Sequence, residues 1–213
     1  MAYKLIDIRK TIPKHKTRTW KKRTSADTIV VHTTGSSNQD PNKTALYHVT
    51  PSKNNHISKL GCAGLCYSDF ITKNGTVFHC NNYDDITWHA GFYNTRSVSV
   101  VLAFPGQTDA IPDQIMMNVL EQHLVVLCLY LKILPKRVIG HREVPGMYTI
   151  LGNGSKKYKK VCPGMQINLD ILRNAVTCRL QRRLSSEGLY TAKIDGLFGS
   201  KSILALNNFI PRR

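Results

Sequence analysis

The sequence predicts an α/β fold in which helices flank a central, mostly mixed β-sheet, with a small helical module at the C-terminal end. Three observations support this prediction. Short apolar, β-branched runs at 28–31, 97–104 and 137–140 are typical of strands, and a long helical pattern covers 112–134. Beyond about residue 174 the pattern changes to short helices joined by a glycine-containing turn. Strands that alternate with helices favour one sheet with helices packed against it.

The predicted strands follow from local pattern. Thr28–Val31 is β-branched, and the nearly continuous apolar content of Ser97–Phe104 indicates a strand buried on both faces. Residues 67–72 and 76–80 flank the turn Lys73-Asn74-Gly75. An Asn-Gly pair between two apolar runs is a strong local signal for a β-hairpin.

The long helix has its own start and stop signals. Pro112 suits the first helical position, Asp113 suits the positive end of the helix dipole, and Pro135 would stop the helix. Its predicted buried stripe consists of Ile115, Val119, Leu120, Leu124, Leu127 and Leu131. A short helix is expected around residues 43–49, and a Gly/Ser/Lys-rich loop at 152–160.

The last forty or so residues predict a separate module. Val176, Leu180 and Leu184 mark its first helix, and Ser200 can cap a second helix that runs through Phe209. We therefore expect a first domain at 1–173, which includes the basic segment 1–24, and a helical module at 174–213. Because so few residues form a marginal core, we expect the module either to lean on the larger domain or to dock its first helix there.

The charge of the chain is strongly positive and unevenly distributed. The formal net charge is +17, with 42% hydrophobic and 20% charged residues, which is typical of a soluble globular protein. Residues 1–24 hold nine Lys and Arg against one Asp, whereas residues 25–134 hold six against eight acids. Basic flanks favour anionic wall or membrane polymers, with solubility alone as the alternative. No nucleic-acid-binding motif is present, so we expect no specific nucleic-acid partner.

The cysteines and the N-terminus suggest the compartment. The first residues lack the apolar stretch of a signal peptide, so we expect synthesis in a cytoplasm, where thiols stay reduced. The six cysteines are too few for a disulfide scaffold at this length. Cys128 lies in the apolar helix and is expected to be a small core residue. Cys62 and Cys66 could form a disulfide after export, but their spacing leaves this open.

Two segments far apart in the sequence carry the chemistry. His32 lies at the end of the strand at 28–31, His141 follows the strand at 137–140, and Cys162 comes about twenty residues later. Each residue alone is more often structural. Together, two imidazoles and one thiolate form the three-ligand set that leaves zinc a fourth position for water. If the three side chains meet, the chain is a zinc hydrolase.

The chain resembles the type 2 N-acetylmuramoyl-L-alanine amidases, the zinc family that includes phage lysozyme-amidases and the animal peptidoglycan recognition proteins. The resemblance covers roughly residues 3–172. It is carried by motifs in one order: Val30-Val31-His32-Thr33-Thr34-Gly35, the hairpin Tyr67 to Val77, Trp88-His89-Ala90-Gly91, Asn94 to Val100, Gly140-His141-Arg142-Glu143 and Lys160-Val161-Cys162-Pro163-Gly164. The tail resembles a helical peptidoglycan-binding domain through Leu180 to Leu184, Gly188-Leu189-Tyr190 and Asp195 to Gly199.

The resemblance implies one Zn²⁺ ion bound by His32, His141 and Cys162, with Tyr67 and Lys160 as catalytic residues. The implied reaction is hydrolysis of the amide between N-acetylmuramic acid and L-alanine. For Tyr67 the alternative is a half-buried sheet tyrosine. For Lys160 it is a solvated basic loop, and the spacing from His141 to Cys162 exceeds that of the simplest phage members.

The resemblance also implies a groove that binds substrate. His89 matches a groove-lining histidine, with packing beside Trp88 as its alternative, and Asn94 is a second substrate-binding candidate. The implied partner is bacterial peptidoglycan, and we expect a monomer. With its wall-binding-like tail, the chain most resembles a phage endolysin, which we expect to wait in the host cytoplasm and to act on the cell wall after the membrane is permeabilised.

Two other functions are weighed against this one. A non-catalytic peptidoglycan receptor would use the same fold, but such members typically lack the thiolate ligand, and here Cys162 is present. A nucleic-acid-binding protein is suggested only by charge.

Overall fold

A computed structural model describes residues 3–42, 44, 62–106, 108–151 and 154–211. The short helix predicted at 43–49 lies, apart from Thr44, outside the described residues.

Six strands form the central sheet, in the order β1-β4-β3-β5-β2-β6. They are β1 (Lys4–Asp7), β2 (Thr28–Thr33), β3 (Asp69–Ile71), β4 (Thr76–His79), β5 (Ser97–Leu102) and β6 (Val138–Gly140). The β3 and β4 strands pair antiparallel, and every other neighbouring pair is parallel. The predicted mixed sheet and the predicted hairpin are therefore confirmed.

The centre of the sheet is its most apolar part. Every residue of β2 and β5 is buried, as expected for strands covered on both faces. The hairpin turn between β3 and β4 needs a glycine, because Gly75 has a φ of 81° and a side chain there would lie 2.9 Å from Val119. The turn is thereby pressed against the first long helix.

That helix, α1 (Gln114–Leu131), covers one face of the sheet, and α2 (Leu169–Ser186) packs against α1. The predicted ends of α1, residues 112 and 134, are wrong by two and three residues. The Asp113 carboxylate caps α1 by accepting a hydrogen bond from the amide of Ile115, so the helix begins after Pro112. The helix ends at Leu131, before Pro135 is reached, because the C-cap residue Lys132 has a left-handed φ of 57°.

The buried stripe of α1 differs from the prediction at its first turn. Ile115 is exposed and Met116 is buried instead, while the other predicted positions face the core or pack against it. Cys128 is fully buried, as predicted. By length and composition α1 could also cross a membrane, but half of it is buried in this core, as in the core helix of a globular domain.

The C-terminal residues continue from the larger domain without a break. The boundary predicted at 173/174 lies inside α2, whose first half packs on the sheet domain. A third helix, α3 (Ser200–Asn208), follows, with Gly199 rather than Ser200 at its N-cap. The buried Gln181 side chain on α2 donates hydrogen bonds to Tyr190 Oη at 3.0 Å and to the Leu197 carbonyl at 2.9 Å. One amide therefore organises the whole turn before α3.

The segment predicted as a loop at 152–160 contains a strand. Residues Tyr148–Ile150 (β7) and Lys156–Tyr158 (β8) form an antiparallel pair. The rings of Tyr148 and Tyr158 meet edge to face, and the Lys156 ammonium lies 4.4 Å from the Tyr148 ring centre. These cross-strand contacts stabilise a strand that a Lys- and Gly-rich sequence does not suggest.

A buried carboxylate on β3, Asp69, is a polar feature that the sequence pattern does not reveal. Asp69 is fully buried and accepts hydrogen bonds from His79 Nδ1 at 2.7 Å, His123 Nε2 at 2.8 Å and Tyr83 Oη at 3.0 Å. The Tyr3 hydroxyl lies 2.8 Å from His123 Nδ1, which ties the N-terminal strand to α1. Burial raises the pKa of Asp69, but His123 and His79 outweigh it and the net direction is downward.

We expect Asp69→Asn to lower the free energy of unfolding by about 2–4 kcal/mol, because an amide hydrogen would face groups that donate to the carboxylate. Urea unfolding measures this loss, with Asp109→Asn on an exposed loop as the control. Since the folded pKa of Asp69 is depressed, its contribution is present above pH about 3.9 and is lost as the pH falls below that value. A variant as stable as the wild type at pH 7 would contradict this account.

Candidate metal centre

The candidate site lies on the face of the sheet opposite α1, at the carboxyl ends of two neighbouring parallel strands. His32 is the fifth residue of β2, and His141 follows directly on β6. Parallel strands end at the same edge of a sheet, so β2 and β6 deliver both imidazoles to one place. Side chains alternate along β2, which puts His32 on the face opposite Val31 and the main core.

The third donor comes from the loop before α2. The Cys162 Sγ atom lies 3.7 Å from His32 Nδ1, and the His32 and His141 ring centres are 4.7 Å apart. Donor atoms of all three residues lie within 4.8 Å of one another. Zinc bound tetrahedrally at ordinary bond lengths would separate a sulfur and a nitrogen ligand by about 3.6 Å. The residues therefore fit the ion that the donor set predicts.

The loop that carries Cys162 is fixed by Arg142, which is buried. Its guanidinium donates to the carbonyl oxygens of Gly164 and, at 2.7 Å, of Ile167, and its amide donates to the Cys162 carbonyl at 2.8 Å. The amide of Thr33 points at Cys162 Sγ at 3.4 Å. The Gly140-His141-Arg142-Glu143 motif contained Arg142, but only the structure shows that it holds the sulfur donor in place.

The electrostatics of the cluster keep both histidines in their ligating form. Burial and the neighbouring His89 and His141 hold the pKa of His32 well below its usual value. Burial, with a smaller contribution from Lys160, lowers the pKa of His141 to about 4. Burial raises the pKa of the Cys162 thiol to about 11, so a cation that binds there must release its proton.

His32 is oriented by a second histidine. Because His32 Nδ1 faces Cys162, its Nε2 is left to donate, and the acceptor is His89 Nδ1 at 3.1 Å. His89 then carries its own proton on Nε2, which faces the carbonyl oxygen of Ser97 at 3.4 Å. Both ring nitrogens of His89 thus face protein groups.

Asn94, the other candidate for substrate binding, is engaged within the same loop. Its Oδ1 atom accepts from the amide of His89 at 3.0 Å and from the amide of Ala90 at 2.7 Å. This geometry places Asn94 as a support for the His89 loop. A side chain oxygen that is already used twice has little capacity left for a ligand.

Tyr67 lies beside the donor cluster. Its ring centre is 5.3 Å from that of His32, with the ring planes tilted by 50°. Burial first, and then the nearby Cys162 and Cys66, raise the pKa of Tyr67 far above its usual value, so its hydroxyl stays protonated and can donate a hydrogen bond. Tyr67 lies two residues before the start of β3, at the entry to the predicted hairpin.

Lys160 is exposed at the end of the β7–β8 hairpin, two residues before Cys162. Its positive charge acts to lower the pKa of His141 and of Cys162, in the case of Cys162 against the larger effect of burial. The structure brings together His32, His141, Cys162, Tyr67 and His89, while Lys160 lies on the exposed segment that leads to Cys162. Asn94 lies outside this group and acts on it through His89.

Comparison with known proteins gives one family match. Residues 22–165 match the model of the N-acetylmuramoyl-L-alanine amidase family. No curated protein sequence matches the chain.

Several solved structures share the fold. The amidase LysC from Clostridium intestinale superposes with a TM-score of 0.62 at 17% identity, covering 81% of this chain and 96% of LysC. The Drosophila recognition protein PGRP-LB Y78F, in complex with tracheal cytotoxin, has a TM-score of 0.58 at 18% identity, with coverages of 78% and 92%. The Ph2119 endolysin from a Thermus scotoductus bacteriophage has a TM-score of 0.54 at 15% identity, with coverages of 81% and 99%. At these identities the likeness shows the fold alone.

Proposed function

Because this chain belongs to the N-acetylmuramoyl-L-alanine amidase family, we propose that it is a zinc-dependent peptidoglycan hydrolase that cleaves the amide between N-acetylmuramic acid and L-alanine. The observation that carries the proposal is the convergence of two imidazoles and one thiol, on β2, after β6 and before α2, within 4.8 Å of one another. His32 Nδ1, His141 and Cys162 Sγ would hold the ion. A zinc ion with three such ligands supplies Lewis acidity, which polarises a carbonyl group and lowers the pKa of water.

Three side chains around the ligands have separate roles in the proposed reaction. Tyr67, kept protonated by burial, donates its O–H to oxygen that gains negative charge during attack on the amide. Lys160 adds a positive charge at the open side of the cluster. His89 accepts from His32 Nε2 and so keeps His32 Nδ1 free of a proton for the ion.

The reaction is tested by digesting purified sacculi and identifying the new ends by mass spectrometry. The proposal expects the release of free L-alanine amino groups, with N-acetylmuramic acid left intact. A chelator should abolish this release, and added zinc should restore it. Cleavage at a glycosidic or cross-link bond, or full activity of the metal-free protein, would overturn the reaction assignment.

We expect Lys160→Met to lower kcat/KM about tenfold, since one donor to the developing charge is lost but its position is solvent-exposed and screened. The matched control is Lys157→Met on β8, which removes the same charge from the same hairpin. Its effect should stay below about twofold at physiological salt because it has no contact with the cluster. Equal losses in both variants would assign Lys160 to general wall attraction instead.

We expect His89→Leu to weaken zinc binding by about 10–100-fold, because His32 loses the acceptor that fixes its tautomer. His89→Asn places an oxygen near the position of Nδ1 and should recover most of that affinity. Competition with a chromophoric chelator measures both constants without an activity assay. If the two variants bind zinc equally well, His89 serves only packing.

The second candidate, a non-catalytic peptidoglycan receptor, has the same fold. The thiol of Cys162 beside two neutral imidazoles favours the enzyme, because a recognition groove alone has no need of a three-ligand metal set. We further propose an endolysin-like role: a monomer made in the host cytoplasm that reaches peptidoglycan after membrane permeabilisation, with its basic flanks drawn to anionic wall polymers. The segment at 174–213 is proposed to add wall affinity.

A further inference from the structure

Two thiols meet in the loop that leads into β3. Cys66 donates a hydrogen bond to Cys62, and the two Sγ atoms are 3.2 Å apart. Both side chains are buried, with 0% and 1% of their surfaces exposed. The described part of the chain contains six free cysteines. Among them, Cys62 and Cys66 are the pair whose thiols are hydrogen-bonded to each other.

The two thiols differ in acidity. The hydrogen bond from Cys66 lowers the pKa of Cys62, and the charge of Arg18 acts in the same direction. The same interaction and burial raise the pKa of Cys66. Cys62 is thus the thiol more readily converted to a thiolate, which is the species that attacks a disulfide.

The loop around the pair is held to its surroundings on several sides. Trp20 packs against the cluster of Cys62 and Cys66, and its indole N–H donates to Asn81 Oδ1 at 3.0 Å. The Asn81 amide in turn donates to the carbonyl of Leu65 at 2.8 Å and to the carbonyl of Tyr67. The hydrogen bonds of Asn81 therefore hold the backbone on both sides of Cys66, up to Tyr67.

We propose that Cys62 and Cys66 form a dithiol site that closes to an intramolecular disulfide by exchange with a small-molecule disulfide of the glutathione class. The bond locks the loop that positions Tyr67. Formation of the bond does not depend on the proposed amidase activity; only its consequence for catalysis rests on the role proposed for Tyr67.

The exchange balances in two steps. The Cys62 thiolate attacks one sulfur of the small disulfide, whose S–S bond breaks and releases one thiolate that takes up a proton. Cys66 then attacks Cys62 Sγ in the mixed disulfide, gives up its own proton, and releases the second small thiol. Two protein thiols are oxidised and one small disulfide is reduced to two thiols. Because both sulfurs are buried, exchange requires the loop to open or to be still unfolded.

The test uses the full chain refolded from urea in mixed reduced and oxidised glutathione, alkylated, and digested with trypsin. Cleavage after Lys59 and Lys73 releases residues 60–73, which contain Cys62 and Cys66 and no other cysteine. The expected product is this peptide without alkyl groups and about 2 Da lighter than its dithiol, from loss of two hydrogens. Alkylation of both cysteines at every glutathione ratio, or a bond from either one to another cysteine, would overturn the proposal.

Single variants test the order of attack and the consequence. Cys66→Ser should leave glutathione attached at Cys62, whereas Cys62→Ser should leave Cys66 largely free; the reverse pattern contradicts the assigned roles. Cys178→Ser, on the half-exposed face of α2, should still form the bond. Amide hydrogen exchange across 63–67 should slow in the oxidised wild type, and unchanged exchange would contradict the locking of the loop.

Discussion

We expect the replacement of Cys162 with serine to abolish zinc binding and amidase activity together. The thiolate is the one anionic ligand in the set, and a serine hydroxyl with a pKa far above that of a thiol does not replace it. We expect sacculus hydrolysis to fall by at least about 10³-fold, the loss expected when the main stabiliser of transition-state charge is removed. Metal analysis after dialysis and the release of L-alanine amino groups measure the two losses.

The fold should survive this substitution. Cys162 lies on a loop held by Arg142 and is not part of the main core, so circular dichroism should remain that of the wild type. Added zinc should raise the melting temperature of the wild type but not of the variant, since only the native wild type binds the ion. Cys178→Ser is the matched control and should keep both metal and activity. An active, zinc-loaded Cys162→Ser enzyme would remove Cys162 from the site.

We expect Tyr67→Phe to lower kcat by about 10²–10³-fold and to leave zinc affinity unchanged, because only the O–H donor is removed and the ring still packs beside His32. This separation of kcat from metal binding distinguishes Tyr67 from the three ligands. Stopped-flow or endpoint release of L-alanine amino groups, with zinc affinity from chelator competition, measures both quantities.

Tyr148→Phe on the β7–β8 hairpin provides the control, since it removes a hydroxyl from a tyrosine that contacts Tyr158 and not the cluster. Its kcat should match the wild type. If Tyr67→Phe keeps the wild-type kcat, Tyr67 has no catalytic role and is a half-buried packing residue at the start of the hairpin.

Local pattern predicted most of the sheet and the long helix. The β-branched run ending in His32 and the Asn74-Gly75 turn carry their own conformational preferences, so β2 and the β3–β4 hairpin appear where expected. Pattern failed where tertiary contacts decide. The segment at 152–160 was predicted as a loop, because the Tyr148 to Tyr158 contact that stabilises β8 joins two strands and is not visible in the Lys- and Gly-rich segment itself.

The candidate site divides in the same way. The three donor residues were recognisable from their type and from their motifs, but their convergence depends on the parallel pairing of β2 and β6 and on the Arg142 contacts. The contacts that support the site were not recognisable. The Oδ1 atom of Asn94 accepts hydrogen bonds from the amides of His89 and Ala90, which no motif reveals, and the substrate contact of Asn94 stays a prediction.

The central claim is that His32, His141 and Cys162 share one zinc ion, and X-ray absorption at the zinc edge tests it most directly. On protein loaded with one equivalent of zinc, we expect one sulfur neighbour at about 2.3 Å and two imidazole nitrogens at about 2.0–2.1 Å. Cys162→Ser should retain no zinc after dialysis and should therefore give no zinc-edge signal. A zinc shell without sulfur in the wild-type protein would contradict the account.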